Sequence, residues 1–135
     1  MYTPISTRAA TTYRRVSVES EITGADPHRL VDMLYDAVLQ QLRLGHAAMQ
    51  RGDIAGKSAA LAKAMRIIDE GLKSGLNPAG GELTVRLKAV YEYSIKRLTL
   101  ANLRNDVAAV SEVIELIAPL AESWKSIRAA AVKGA

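Results

Sequence analysis

Residues 107–127 read VAAVSEVIELIAPLAESWKSI. Projected at about 100° per residue, Val107, Val110, Val113, Ile114, Leu116, Ile117, Leu120, Ala121, Trp124 and Ile127 span an arc of roughly 200° on one helix, and Ser111, Glu112, Glu115, Glu122, Ser123 and Ser126 hold the remainder. A helix that only packs on a core needs an apolar stripe little wider than about 100°. The excess flanks, Val107 and Ile114 on one side and Leu116 and Ile127 on the other, must therefore face neighbouring helices or a partner. Pro119 lies inside this pattern and removes the hydrogen bond to the Glu115 carbonyl, which predicts a kink or a break.

The same periodicity recurs upstream. Asp26-Pro27 is a helix start: the carboxylate can accept the first amides, and proline suits the first helical position. A first helix is expected from Pro27 to about Arg51, again with a broad apolar arc that includes Leu30, Leu34, Tyr35, Val38 and Leu42. Gly52-Asp53 ends it, and Asp53 can cap a second helix from Ile54 to about Gly75, in which Gly71 is a weak point. Leu76 to Gly81 is the chief loop. A third helix is expected from Glu82 to about Leu103, with Leu83, Leu87, Val90, Tyr91, Ser94, Leu98 and Ala101 inward, and Asn105 or Asp106 then caps the fourth. Four amphipathic segments joined by short turns, without an alternating strand pattern, predict an all-α fold: an antiparallel up-down four-helix bundle.

Residues 1–20 are rich in Thr, Ser and Arg, with scattered apolar groups at Ile5, Tyr13, Val16 and Val18. They predict an N-terminal arm or short cap helix that cannot fold alone, ahead of a single bundle domain over 21–135. A chain of 135 residues suffices for one domain with a real core. The 18 Lys and Arg are interspersed with 14 Asp and Glu, so the net charge of +4 reads as a solvated helical surface rather than a nucleic-acid tract. The opening Met1-Tyr2-Thr3-Pro4-Ile5 has no charged start followed by an apolar run, and no stretch reaches about 18 apolar residues. The expectation is a cytoplasmic protein without membrane insertion.

Chemistry-bearing constellations are missing. The chain contains no Cys, which excludes thiolate catalysis, thiolate metal sites and disulfides. His28 and His46 stand about 27 Å apart along one helix, too far to share a metal or a proton, and are expected on the surface. No Glu precedes either by three residues, as the Glu-x-x-His pairs of di-metal bundles require. Ser94 has no His to activate it and is expected to bond a carbonyl of its own helix. Gly80-Gly81 lacks the strand and the Gly-Lys-Ser/Thr ending of a phosphate loop, and reads as a turn. Neither an enzyme, nor a cofactor, nor a metal site is expected. What remains is binding surface. An arm carrying Tyr13, Val16 and Val18 can cover an apolar groove until a partner displaces it. On periodicity alone, completion of the monomer's own core, or a homodimer, stands equally open.

The residues also carry a family likeness. Tyr13 with Val16 to Ser20, Asp26 to Leu30 leading to Met33 to Asp36, and Gly52-Asp53 are followed by Ala60 to Ala64 and Ile67 to Leu72. Then come Gly80 to Glu82, Leu87, Tyr91 and Tyr93, Arg97-Leu98 running on to Ala101 to Asp106, and finally Trp124-Lys125. In this order and spacing the chain resembles the FliS family of flagellar export chaperones over nearly its whole length. The resemblance implies a four-helix bundle that binds the C-terminal region of flagellin, a segment disordered when free, and so prevents premature polymerisation. It also implies delivery to an export-gate protein of the flagellar type III apparatus, with Tyr13 taking part in covering the groove and in docking.

The candidate partner-binding residues are thus Tyr13, Val16 and Val18 on the arm, Leu30, Leu34 and Tyr35 on the first helix, and Ile114, Leu116, Leu120 and Trp124 on the fourth. The alternative is a basic helical adaptor that binds nucleic acid or an acidic regulatory protein, whose affinity would fall steeply with salt. Weak homodimerisation of the free protein is compatible with either reading.

Overall fold

The structure, a computed structural model, describes residues 26–134, with side chains described as far as Ile127. The arm and its candidates Tyr13, Val16 and Val18 lie outside the described residues. Helix starts follow from local chemistry. Asp26 is extended and its carboxylate accepts the Arg29 amide at 2.7 Å, with Pro27 beginning α1, Pro27–Gln50. The Asp53 carboxylate accepts the Gly56 amide at 2.9 Å and opens α2, Ile54–Arg66. That backbone bond holds the Asp53 carboxyl below its ordinary value.

The second helix departs from expectation. At Ile67 the winding loosens, and Ile67–Lys73 is a π-helical segment rather than a continued α-helix. It contains the expected weak point: Gly71 is buried, and a Cβ there would lie 3.1 Å from Leu34 Cδ2. The missing side chain lets this segment close on α1 while Ile67, Ile68 and Leu72 remain in the core.

The third and fourth helices are α3, Gly81–Arg104, and α4, Val107–Gly134. Their junction uses both candidate caps. Asn105 adopts a left-handed conformation (φ 54°) and ends α3, the Asp106 amide donates to Ala101 O at 3.1 Å, and the Asp106 carboxylate accepts the Ala109 amide at 3.3 Å. Lys57, buried at the start of α2, donates to Asn102 O at 3.0 Å and so satisfies a carbonyl of the last turn of α3. Of the kink or break expected at Pro119, the break is absent: α4 continues through it. Pro119 and Glu115 are both exposed, so the carbonyl left without a donor is open to water.

The starts of α2 and α4 and the ends of α1 and α3 meet at one end of the bundle, while His28 near the start of α1 meets Trp124 late in α4 at the other. The helices therefore alternate in direction, and α1 packs beside α2 and α4 while α3 closes the square. Among the described residues there is no strand. Val38, Leu42, Leu61, Ile68, Leu98 and Ile117 fill the centre. Across the diagonal from α1 to α3 the hydroxyls of Tyr35 and Tyr91 are 2.6 Å apart. Each large aliphatic side chain buried there contributes about 1.5–3 kcal/mol. Ser94 is in the core as expected, but its hydroxyl has no hydrogen-bond partner, so the expected bond to its own helix is not made.

Candidate functional site

The broad apolar arcs of α1 and α4 have different fates on their two sides. The α1 candidates are interior: Leu34 and Tyr35 are 1% and 2% exposed, and Leu30 is also buried. Diagonal packing on Tyr91 and the close approach of Gly71 cover positions that the arc alone left open to a partner. A partner cannot touch Leu34 or Tyr35 while the bundle is closed. In α4 the central row of Val110, Val113, Ile117 and Ala121 is core, whereas Ile114, Leu116 and Leu120 are half-buried and Ile127 is exposed. Ile114 and Leu120 also pack against the core, so these flanks face neighbouring helices as well as solvent.

The structure separates the flank residues from one another. Ile114 faces α1, where it joins Arg43, His46, Ser111 and Glu115 around an open groove with a volume of about 260 Å³. Arg43 also borders a second depression on α1, shared with Asp36, Leu39, Gln40 and Leu44, whose leucine side chain is 52% exposed. Both depressions are shallow and mixed in character: Ile114, Leu39 and Leu44 supply apolar surface, and Asp36, Arg43 and Glu115 supply charges of both signs. Leu116 and Leu120 lie on the opposite flank, one and two turns beyond Glu112, which reaches across to α3. There Arg97 Nε donates to Glu112 at 2.6 Å and the Tyr93 hydroxyl donates to the same carboxylate at 2.9 Å.

The Arg97 hydrogen bond, and after it the Tyr93 bond, hold the Glu112 carboxyl below its ordinary 4.5. Accepting that same bond, Glu112 pushes the Tyr93 hydroxyl above its ordinary 10.0. Because the folded value of Glu112 is depressed, its contribution to stability is present above pH 4.5 and is lost as pH falls through the folded value. Glu112→Gln is accordingly expected to flatten the loss of stability on acidification from neutral pH to about pH 3, read as the urea midpoint at each pH. An unchanged slope overturns the assignment.

Trp124 is a clasp rather than an open contact. Its indole stacks on His28 with ring centroids 4.0 Å apart, its Nε1 donates to His28 O at 2.8 Å, and His28 Nε2 donates back to Trp124 O at 3.2 Å. This corrects the expectation of a surface His28: the ring is partly buried against α4. His46, also partly buried, lies on the groove wall. Periodicity also missed the neighbouring ion cluster. Asp32, 4% exposed, and Asp36 both receive Lys125 Nζ from α4, and Arg29 reaches Asp32 at 3.3 Å. Burial opposes the charge on Lys125, but its hydrogen bonds to Asp32 and Asp36 outweigh that cost and raise its pKa. A signal was present in the four-residue spacing of Asp32 and Asp36, but their cation lies far away in sequence.

Among the described residues no group of His, Asp and Glu can hold a metal ion, and no helix is long and apolar enough to cross a membrane. The arrangement offers partly apolar depressions bordered by charges of both signs, suited to holding a polypeptide.

Comparison with known proteins agrees. The family described as "Flagellar protein FliS" matches residues 9–131. The flagellar secretion chaperone FliS of Salmonella typhimurium is 44% identical over 128 residues, covering 94% of this chain and 93% of that protein. That of Escherichia coli K12 is 42% identical, covering 93% and 90%, and that of Bacillus subtilis is 35% identical, covering 79% of each. A crystal structure of a bacterial flagellar chaperone superposes with a TM-score of 0.69 at 17% identity, over 87% of this chain and 95% of that one, a likeness of fold. With the sequence match spanning nearly all of the bundle and the architecture agreeing, the chain belongs to the FliS family of flagellar secretion chaperones, a class of binding proteins rather than enzymes.

Proposed function

We propose that this protein holds the C-terminal region of flagellin in the cytoplasm, prevents its premature polymerisation and presents it to an export-gate protein of the flagellar type III apparatus. The observation that carries this reading is the half-exposed apolar flank of α4 beside a trough on α1, on a bundle whose core is otherwise closed. An amphipathic client segment can lay its apolar face over Ile114 and the exposed Leu44, with its polar groups meeting Arg43, His46 and Glu115. Leu116 and Leu120 offer a second apolar strip on the α3 side, so a client long enough to reach both flanks must cross α4.

A segment that folds as it binds spends part of its interaction energy on ordering, which keeps a wide interface reversible and lets the client leave at the export gate. The arm residues Tyr13, Val16 and Val18 are proposed to cover the trough in the free protein and to take part in docking the loaded complex. Leu30, Leu34, Tyr35 and Trp124 support the site from beneath by fixing the positions of α1 and α4. Titration with a C-terminal segment of a flagellin from the same organism tests the reading: saturable binding is expected, and its absence contradicts it.

A further inference from the structure

α3 carries a second apolar stripe that lies outside the core and meets α4 at the Tyr93 hydroxyl, which donates to Glu112. Val85, Ala89, Tyr93, Leu100 and Leu103 fall within roughly 80° of one another on the helix and extend over about 27 Å. They lie opposite the buried row of Leu87, Tyr91, Ser94, Leu98 and Ala101. Val85 is 66% exposed, Tyr93 43% and Leu103 77%; Ala89 is exposed and Leu100 half-buried. Single exposed apolar side chains are ordinary, but a row at helical spacing on an outward face is not.

The charges around this stripe point to what covers it. α3 has two carboxylates, and both are engaged: Glu82 with Arg86 at 2.7 Å and Glu92 with Lys73 at 3.5 Å. Of its cations, Arg86 and Arg97 are paired, whereas Lys88, Lys96 and Arg104 are exposed and have no ion-pair partner among the described residues. Lys96 lies within the stripe and can lay its methylene stem along it. Every unpaired charge beside the stripe is therefore positive.

We propose that the outward face of α3 is a docking surface for an acidic amphipathic helix of another protein. Leucine-like anchors would enter between Val85, Tyr93 and Leu103, and flanking carboxylates would meet Lys88, Lys96 and Arg104. Charge disfavours the other occupants. Residues 1–25 carry Arg8, Arg14 and Arg15 against Glu19 and Glu21, so this segment is itself net positive. A second copy would set cation against cation. Against an anionic membrane stands the shape of the face: a stripe one helix wide suits a helix better than a bilayer.

The test uses the whole protein and two synthetic 18-residue helices with the same leucine stripe, one with Glu and one with Lys at the polar positions, followed by fluorescence anisotropy. The acidic peptide is expected to bind at least about tenfold more tightly than the basic one. The double variant V85E/L103E, at exposed positions where the fold is retained by circular dichroism, is expected to lose that binding by at least about tenfold. Lys96→Glu is expected to narrow the preference between the peptides. Equal binding of both peptides, full binding by the double variant, or binding to phosphatidylserine vesicles without binding to the acidic peptide overturns the proposal.

Discussion

Trp124→Ala is expected to destabilise the bundle by about 3–5 kcal/mol, the usual cost of removing a buried large aromatic side chain. Trp124 is 8% exposed in the core and also makes the reciprocal hydrogen bonds and ring stack that tie the first turn of α1 to α4. Truncation removes apolar burial, the indole donor and the face on which His28 rests, and it leaves Lys125 with less fixed neighbours. Set against a typical domain stability of about 5–15 kcal/mol, this is a large fraction. Because Trp124 is the only Trp, unfolding of the variant must be followed by far-ultraviolet circular dichroism in urea. His28→Ala, which removes the stack and one hydrogen bond but leaves the indole buried, is expected to cost clearly less. Equal costs for the two substitutions would show that the contact with His28, rather than burial of the indole, holds α4 in place.

The second large effect is on binding. The double variant I114E/L120E puts a carboxylate on each flank of α4 at half-buried positions that pack against the edge of the core. Affinity for a flagellin C-terminal segment is expected to fall by at least about 100-fold, the loss produced by removing one strong anchor of about 2–3 kcal/mol. Leu34→Ala gives the contrast. Its side chain is fully buried against Gly71, so it is expected to lose about 2–5 kcal/mol of stability, with client affinity changed much less in whatever fraction stays folded. A fall in affinity for Leu34→Ala as large as for the flank variant would mean that the client enters the bundle rather than lying on it.

These contrasts follow the line between what the sequence carries and what only packing decides. Asp26-Pro27, Asp53 and the Asn105-Asp106 junction were legible because capping is a matter of neighbouring residues, and all of them act as caps. Four helices with alternating directions followed from those stops and from short connections. The π-helical winding of Ile67–Lys73 was not legible, and neither was the close approach of Gly71 to Leu34, two residues far apart in the chain. For the site, the width of the α4 arc announced surplus apolar surface, and Ile114, Leu116 and Leu120 do keep surface open. The equally wide arc of α1 gave the same signal for Leu34 and Tyr35, which the structure buries beneath neighbouring helices. An arc records the angle of a side chain, not the helix that covers it. His28 and Ser94 teach the same point at the scale of one group: a ring expected in solvent is stacked on Trp124, and a hydroxyl expected to be bonded has no partner.

Flagellin capture, as proposed, rests on the apolar surface beside α1 and α4. Calorimetric titration of the protein with the last sixty or so residues of a flagellin from the same organism, at low and high salt and at several temperatures, tests it most directly. Apolar burial coupled to client ordering predicts submicromolar binding that changes little with salt and carries a large negative heat-capacity change. Binding absent at both salts, or binding that disappears steeply as salt rises, would contradict it.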